Sequence, residues 1–258
     1  MKTNKHPEIA IISGFDPCGD AGLIADIETV HALGCRTRAV ITCQTVQNEK
    51  NATDCIASDA TWFKSQLCSA IDRGLFSAIK IGLTPSPDII EIIVEMLPGL
   101  SCPIVIDPII AAGGGYVFCD SETIDLLCHK LIPLCDIATP NAQELKQLAK
   151  TSDANQASTL LLEQGCKAVL VSSEYQKEDY LYHCLYRLNH PPQTYTAKRL
   201  LHRYRGSGCI LASAIAAYLA HGDELPSAVK HAQEFTYSCL LTAISTGQGI
   251  AIPQRFKR

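Results

Sequence analysis

Short apolar runs that alternate with longer amphipathic segments constrain the fold of this chain more than any other sequence feature. The runs are continuous rather than alternating in polarity, which is typical of strands buried on both faces of a parallel sheet. They lie at residues 9–12, 38–42, 78–81, 103–106, 136–139 and 168–171. The predicted helices lie at 23–33, 61–73, 88–97, 121–131, 142–150 and 157–164. This order predicts an α/β fold with a doubly wound, mostly parallel sheet flanked by helices.

The pattern changes after the sixth run. Residues 180–186, Tyr-Leu-Tyr-His-Cys-Leu-Tyr, predict an antiparallel strand, and a last long helix is predicted at 227–246. No linker, internal repeat or low-complexity tract interrupts the 258 residues. We therefore expect a single domain over residues 1–258, long enough to bury roughly three-quarters of its unfolded surface.

Composition excludes several classes of protein. Hydrophobic residues make up 47% of the chain, charged residues 19%, and the formal net charge is -4. We therefore expect a globular chain that lacks the basic, aromatic-rich surface a nucleic-acid partner needs. The 13 cysteines include no C-x-x-C pair, which argues against a zinc or redox motif. Scattered thiols and a polar N-terminus predict the cytoplasm, and no stretch resembles a membrane span.

A Gly-rich turn, Arg205-Gly206-Ser207-Gly208-Cys209, precedes an apolar run of small residues at 210–220 that predicts a buried helix. Backbone N–H groups at a helix N-terminus have no intrahelical partner, and the helix dipole adds positive charge, so this turn is suited to a phosphate. The same field would stabilise the Cys209 thiolate and make it a candidate base. A turn that simply starts a helix, with Cys209 as a small buried side chain, explains the segment equally well.

Polar residues follow the ends of five predicted strands. In an open α/β sheet the carboxyl ends of parallel strands meet at one edge, where ligands bind. The segments that converge there are 13–22, 43–48, 80–83, 107–108 and 139–144. Asp26, one turn into the first helix, and Asp107, before Pro108, are candidate ligand-binding carboxylates. An exposed helix position for Asp26 and a turn-forming role for Asp107 are the alternatives.

These segments carry a resemblance to one family. Residues 13–26, Ser-Gly-Phe-Asp-Pro-Cys-Gly-Asp-Ala-Gly-Leu-Ile-Ala-Asp, are similar to the opening of the hydroxymethylpyrimidine/phosphomethylpyrimidine kinases of thiamine biosynthesis, which are ribokinase-like. Later blocks match in order: Val46-Gln47-Asn48, Lys80-Ile-Gly-Leu83, Asp107-Pro108, Thr139-Pro-Asn-Ala-Gln-Glu144 and Arg205-Gly-Ser-Gly-Cys209. The resemblance covers nearly the whole chain. It implies a three-layer α/β/α fold and transfer of the γ-phosphate of ATP, with Mg²⁺, to a hydroxymethyl group or an existing phosphate.

The resemblance also implies roles for particular residues. Cys209 corresponds to the family's base, and the backbone amides come from Gly206, Ser207 and Gly208. The pyrimidine pocket corresponds to Gly14, Asp26, Gln47, Leu83 and Ile109. Asp26 and Gln47 would hydrogen-bond the ring nitrogens and the exocyclic amine. The nucleotide and phosphate contacts correspond to Asp107, Asn141, Glu144 and Arg205. Asp107 and Glu144 would also hold Mg²⁺, through water.

Several positions depart from the family pattern. Arg205 and Ser207 stand where a histidine and a threonine are usual. Ser172 stands where the family commonly has a phosphate-facing lysine, and the loop that contains Ala112 also lacks its usual lysine. Arg205 either adds a fixed positive charge near phosphate or points to solvent. These departures bear on the catalytic rate and not on the fold.

We therefore expect an ATP-dependent kinase that acts on 4-amino-5-hydroxymethyl-2-methylpyrimidine, on its monophosphate, or on both. One alternative is a B6-vitamer kinase such as a pyridoxal kinase, because the rings and the transferred group are alike. Another is a non-catalytic relative that binds a pyrimidine, which would explain the missing lysines. The expected partners are the pyrimidine, ATP and a second copy of the chain in a homodimer. Nucleic acid and membrane are not expected partners.

Overall fold

The computed structural model describes residues 6–71, 76–246 and 250–256. Its strands are β1 (Glu8–Phe15), β2 (Arg36–Gln47), β3 (Ala52–Ala57), β4 (Ala78–Ile81), β5 (Ile104–Ile106), β6 (Ile137–Ala138), β7 (Val169–Lys177), β8 (Tyr180–Arg187), β9 (His190–Lys198), β10 (Arg203–Tyr204), β11 (Ile244–Ser245) and β12 (Ile250–Ile252). Its α-helices are α1 (Gly22–Ala32), α2 (Ala60–Ile71), α3 (Pro87–Met96), α4 (Ser121–Leu126), α5 (Ala142–Ala149), α6 (Ala154–Glu163), α7 (Ser207–Ala220) and α8 (Leu225–Leu241). A π-helical turn (Leu127–Leu131) extends α4.

The central sheet contains nine strands in the order β3-β2-β1-β4-β5-β6-β7-β8-β9. The six strands β1, β2, β4, β5, β6 and β7 run parallel, whereas β3 pairs antiparallel with β2, β8 with β7, and β9 with β8. The strand order reverses at β1, which has β2 on one side and β4 on the other, so the loops that follow these strands leave a crevice. The doubly wound, mostly parallel sheet expected from the sequence is confirmed.

Both faces of the sheet are buried at its central strands, which explains the continuous apolar runs. Ile9 and Ile11 of β1 belong to the core beneath α1, α7 and α8, while Ala10 and Ile12 belong to the opposite core beneath α2, α3, α5 and α6. Successive side chains of a strand point to opposite faces, so a strand covered on both sides needs apolar residues at every position. The almost wholly buried helix α7 packs directly against β1, β4 and β5. Its N-terminus therefore lies beside the ends of the central strands.

The sequence-based elements differ from the structure mainly at the edges of the fold. The helix expected over 227–246 is wrong at its end, because α8 stops at Leu241 and the following residues pair with β12 as β11. With β10, these two strands form a second sheet of three strands. The edge strands β3 and β9 were not expected. The sequence pattern did not indicate β9 because the strand contains two prolines. An edge strand tolerates proline because one of its sides needs no N–H donors.

Two further points concern the limits of these elements. The end of the helix expected over 61–73 falls partly on residues 72 and 73, which lie outside the described residues. Among the helices that the structure describes, none is both long enough and apolar enough to cross a membrane.

Candidate active site

The parallel strands end at a cavity of about 220 Å³, here called the central cavity. The first turn of α7 closes it on one side. Every site residue expected from the sequence except Asp26 lines this cavity: Gly14, Gln47, Leu83, Asp107, Ile109, Asn141, Glu144, Arg205, Gly206, Ser207, Gly208 and Cys209. The fold thus brings together residues from both ends of the chain, while the role of each remains a prediction.

The turn that begins α7 has the geometry of an anion-binding site, and we call residues 206–209 the cradle. Gly206 is the N-cap, with a φ of 68° in the left-handed region that favours glycine, and a Cβ there would collide with the carbonyl oxygen of Asp20. Ser207, Gly208 and Cys209 form the first turn and line the central cavity. Their N–H groups have no intrahelical partner and lie at the positive end of the helix dipole, so this wall is suited to a phosphate.

A second cavity of about 250 Å³, the flanking cavity, adjoins the central cavity at the cradle. Four residues line both cavities: Ser172, Tyr204, Ser207 and Gly208. Most of the other lining residues come from β8, β9, the segment that follows β9, and α8, and they include Leu181, Ala197, Gln233 and Tyr237. Sequence reasoning missed this cavity because these segments carry no recognisable motif. The cradle can therefore contact one ligand from each side.

Cys209 and Asp107 both line the central cavity, and the Cys209 thiol lies close enough to the Asp107 carboxylate to oppose a rise in the pKa of that carboxyl. Burial raises the pKa of Cys209 to about 12; the Asp26 and Asp107 carboxylates add to this shift, and the Lys80 ammonium opposes it. The expected stabilisation of the thiolate is therefore wrong, because burial and the two carboxylates outweigh the helix field. Burial also raises the pKa of Asp107, to about 6, against the Lys80 charge. Near neutral pH, Cys209 holds its proton and most Asp107 is ionised.

Asp26 lies outside the central cavity, which corrects the expectation that it binds the pyrimidine ring. Its side chain is fully buried, with Oδ2 2.7 Å from Lys80 Nζ, and Oδ1 accepts a hydrogen bond from Ser213 Oγ at 2.9 Å. Ser213 lies one turn after Cys209 on α7, so this pair supports the cradle from below. A lysine within an apolar strand was the available sequence signal, because a buried ammonium needs a partner.

Asn141 and Glu144 form a capping box at the start of α5. Asn141 Oδ1 accepts the N–H groups of Gln143 and Glu144, each at 2.9 Å, and Glu144 Oε2 accepts the Asn141 N–H at 2.8 Å. The box holds both side chains at the wall of the central cavity. Burial, and then the charge of Asp107, raises the pKa of Glu144 to about 8. Capping and ligand binding are therefore compatible for this pair.

Arg205 turns inward rather than towards solvent. Only 9% of the residue is exposed, and its Nη2 donates a hydrogen bond to Gln47 Oε1 at 2.8 Å. Ser172 and Ala112 also line the central cavity, so the two positions where the family pattern has lysines carry no charge here. Arg205 therefore places one positive charge at the cavity wall, whereas the family pattern has two lysines at the positions of Ser172 and Ala112.

The C-terminal segment braces the first loop, a feature that the sequence did not reveal. Arg255 is 3% exposed, and its Nη1 donates to the carbonyl oxygen of Gly19 at 2.9 Å and to Glu28 Oε2 at 2.6 Å. Its Nη2 donates to the carbonyl oxygen of Asp20, the atom packed against Gly206. The preceding strand β12 pairs with β10, directly before the cradle. One segment therefore holds both the loop over residues 16–22 and the start of the cradle.

A phosphate cradle with a cavity on each side suits the transfer of a phosphoryl group between two small molecules, and the doubly wound sheet that carries it is ribokinase-like. Comparison with known proteins narrows this class. Residues 16–254 match the phosphomethylpyrimidine kinase family, and the chain belongs to this family of phosphotransferases.

Individual relatives agree with this assignment. The hydroxymethylpyrimidine/phosphomethylpyrimidine kinase of Staphylococcus aureus (strain MSSA476) is 31% identical over 257 residues, which cover 94% of this chain and 91% of that protein. A solved phosphomethylpyrimidine kinase from Clostridium difficile 630 has a TM-score of 0.78 and 30% identity, and the match covers 92% of this chain and all of the other. A pyridoxal kinase from Staphylococcus aureus, solved with AMP-PCP and pyridoxal, has a TM-score of 0.86. At 22% identity, with 98% of this chain and 94% of that chain covered, it shows the fold alone.

Proposed function

We propose that this chain transfers the γ-phosphate of ATP to 4-amino-5-hydroxymethyl-2-methylpyrimidine, to its monophosphate, or to both, in thiamine biosynthesis. The observation that carries the proposal is the cradle with a cavity on either side. We assign the pyrimidine to the central cavity and the nucleotide to the flanking cavity. The γ-phosphate then lies against the N–H groups of the cradle. Membership of the phosphomethylpyrimidine kinase family supports the choice of acceptor.

The central cavity offers the contacts that a small aromatic ring needs. Leu83 and Ile109 supply apolar surface, and Gly14 also lines the cavity. The Gln47 carbonyl already accepts a hydrogen bond from Arg205, so its NH₂ group is free to donate to a ring nitrogen. These contacts recognise the ring and leave the reactive group directed at the cradle.

The reaction needs the acceptor oxygen, the γ-phosphorus and the leaving oxygen in line. As the acceptor oxygen bonds to the γ-phosphorus, the bond from this phosphorus to the β,γ-bridging oxygen breaks and ADP leaves. A hydroxymethyl acceptor must also lose a proton. We assign the proton to Cys209, whose own proton passes to the neighbouring Asp107. The cradle N–H groups stabilise the charge on the transferred phosphoryl group.

The two acidic residues of the central cavity fit a magnesium ion. Among the described residues, no group of three or more His, Cys, Asp or Glu side chains could hold a metal. Mg²⁺ in phosphoryl-transfer sites is usually bound by one or two carboxylates together with substrate phosphates and water. Asp107 and Glu144 supply these carboxylates, in line with the expected contact through water. Mg²⁺ would neutralise charge on the nucleotide phosphates.

A B6-vitamer kinase is the second candidate, because a pyridoxal kinase shares the fold with a TM-score of 0.86. The purified protein decides between the two when it is assayed with ATP, Mg²⁺ and each acceptor in turn. We expect phosphorylation of the hydroxymethylpyrimidine or its monophosphate, little transfer to pyridoxal or pyridoxine, and no turnover when EDTA removes the metal. Faster turnover of a B6 vitamer would reject the proposed substrate, and no turnover of any acceptor would favour a non-catalytic binder.

Replacing Arg255 by glutamine is expected to raise KM for the pyrimidine roughly tenfold while changing kcat less. The substitution removes charge-assisted hydrogen bonds to the first loop, each worth about 1.5–3 kcal/mol, so the loop over residues 16–22 loses its preferred position. Steady-state kinetics give both constants, and Arg255→Lys, which retains the charge, should recover part of the loss. An unchanged KM in Arg255→Gln would mean that the brace does not position the loop.

Three properties of the whole protein complete the proposal. We propose one domain over 1–258, since α7 and α8 pack on the same sheet as α1. A cytoplasmic location is supported by the thirteen cysteines, which form no disulfide within the described residues, and cell fractionation tests it. A homodimer is supported by Val46 and Ile56, which are 61% and 69% exposed on one face of the β2–β3 edge. Sedimentation at the mass of one chain would contradict the dimer.

A further inference from the structure

The guanidinium of Arg205 is the feature of the central cavity that the proposed reaction leaves unexplained. Among the described residues that line this cavity, Arg205 is the only lysine or arginine. Within the described residues the one hydrogen bond of its side chain runs from Nη2 to Gln47, and its buried Nε has no partner. A side chain that is nine-tenths buried thus leaves most of its donor capacity unused.

No carboxylate forms an ion pair with this charge in the part of the chain that the structure describes, although Arg205 lies close enough to the Asp20 carboxylate to oppose the rise that burial causes in the pKa of Asp20. None of the ion pairs formed among the described residues includes Arg205. A buried charge without a counter-ion is unfavourable, and the cost is recovered only when an anion binds beside it. Arginine suits a phosphate in particular because its planar fork matches two phosphate oxygens. The geometry therefore favours a ligand that brings its own negative charge into the central cavity.

The other charged group of the cavity sharpens this preference. The Asp107 carboxylate faces the same space and would repel an anionic acceptor that had no cation beside it. A neutral alcohol needs no such cation. A phosphate monoester carries a charge of about -1.5 to -2 at neutral pH. Binding of the monophosphate should therefore depend on the positive charge of Arg205, whereas binding of the neutral alcohol should not.

We propose that Arg205 is a specificity-determining residue that makes the central cavity prefer the phosphorylated acceptor over the free alcohol. The inference rests on the proposed function. In the preferred reaction a monophosphate oxygen bonds to the γ-phosphorus, the bond to the β,γ-bridging oxygen breaks, and ADP leaves with the electron pair. The attacking oxygen is already ionised at neutral pH, so this step transfers no proton.

The test compares wild type with Arg205→Gln, which removes the charge, and with Arg205→Lys, which keeps the charge but not the fork. Arg203→Gln is the matched control. Arg203 lies two residues before Arg205, is exposed and lines neither cavity, so this substitution removes the same charge outside the site. For each protein, kcat/KM is measured with 4-amino-5-hydroxymethyl-2-methylpyrimidine and with its monophosphate. Calorimetry without nucleotide gives the affinity for both compounds.

Wild type is expected to prefer the monophosphate by at least about tenfold in both measurements, since a charge-assisted hydrogen bond of this kind contributes at least that factor. Arg205→Gln should lower this preference by about tenfold or more, Arg205→Lys should lower it less, and Arg203→Gln should leave it within about threefold. An equal preference in Arg205→Gln and wild type, or an equal loss in Arg203→Gln, overturns the inference.

Failure of the proposed function gives a different result. If wild type phosphorylates neither compound, the assignment as a pyrimidine kinase fails, and calorimetry alone decides the role of Arg205. Tighter binding of the monophosphate that Arg205→Gln abolishes supports the inference. Equal affinities for the two compounds in wild type overturn it.

Discussion

Replacing Cys209 by alanine is expected to lower kcat for a hydroxymethyl acceptor by roughly 10²- to 10⁴-fold, the usual range for loss of a general base. The substitution removes the thiol that, in the proposed path, carries the proton of the acceptor hydroxyl to Asp107. It leaves the backbone of the cradle in place, so the affinity for pyrimidine and nucleotide should change little. Quenched-flow or steady-state assays give kcat, and calorimetry gives the affinities.

The acceptor provides an internal comparison for Cys209→Ala. A monophosphate oxygen is already ionised at neutral pH, so the loss should be smaller for the monophosphate than for the alcohol. Cys135→Ala is the matched control, because it removes another fully buried thiol that lines neither cavity. Wild-type turnover of the alcohol by Cys209→Ala would make Cys209 a structural residue and reject the proton path through Asp107.

Replacing Lys80 by methionine is expected to lower the free energy of unfolding by about 3–5 kcal/mol, the range for a buried ion pair that loses one partner. The pair of Lys80 and Asp26 is fully buried at 2.7 Å, so the substitution leaves the Asp26 carboxylate without a counter-ion. Urea unfolding monitored by circular dichroism measures the change. We expect activity to fall as well, since Asp26 also holds Ser213 beneath the cradle.

The chain contains a matched control for this substitution. Lys64 and Glu95 are also 2.7 Å apart, but their side chains are 45% and 63% exposed. Lys64→Met should therefore change the free energy of unfolding by no more than about 1 kcal/mol. Lys80→Met combined with Asp26→Leu should recover part of the loss, because it removes both buried charges. Equal effects of Lys80→Met and Lys64→Met would show that burial does not make the first pair special.

Local pattern predicted the central sheet well because a strand covered on both faces needs apolar residues at every position. The strand expected over 78–81 coincides with β4, and the helix expected over 142–150 ends one residue after α5. The pattern failed for β9, whose exposed polar residues and prolines are acceptable only because it lies at the sheet edge. It also failed at 242–246, where pairing with β12 ends the helical run.

The parts of the candidate site that a single local motif forms could be predicted from the sequence. Gly206 and Asn141 lie at the helix N-termini that their local sequences indicate. The expected position of the Asp26 side chain differed from the structure, because its place in the motif does not reveal whether the side chain faces the cavity or the core. The flanking cavity could not be predicted, since β8, β9, the segment that follows β9, and α8 form most of it without a shared motif.

The amino-acid sequence by itself determined the doubly wound sheet, the position of the cradle and the family, because apolar periodicity, glycine turns and helix caps are local properties. Only the tertiary structure decided which partners the charged side chains meet. Asp26 pairs with Lys80 across 54 residues, Arg205 with Gln47 across 158, and Arg255 with Gly19 across 236. The tertiary structure also decided the protonation of Cys209, since a pKa of about 12 depends on burial and on carboxylates from distant segments. Such energies arise only when the chain packs and excludes water, so no local pattern contains them.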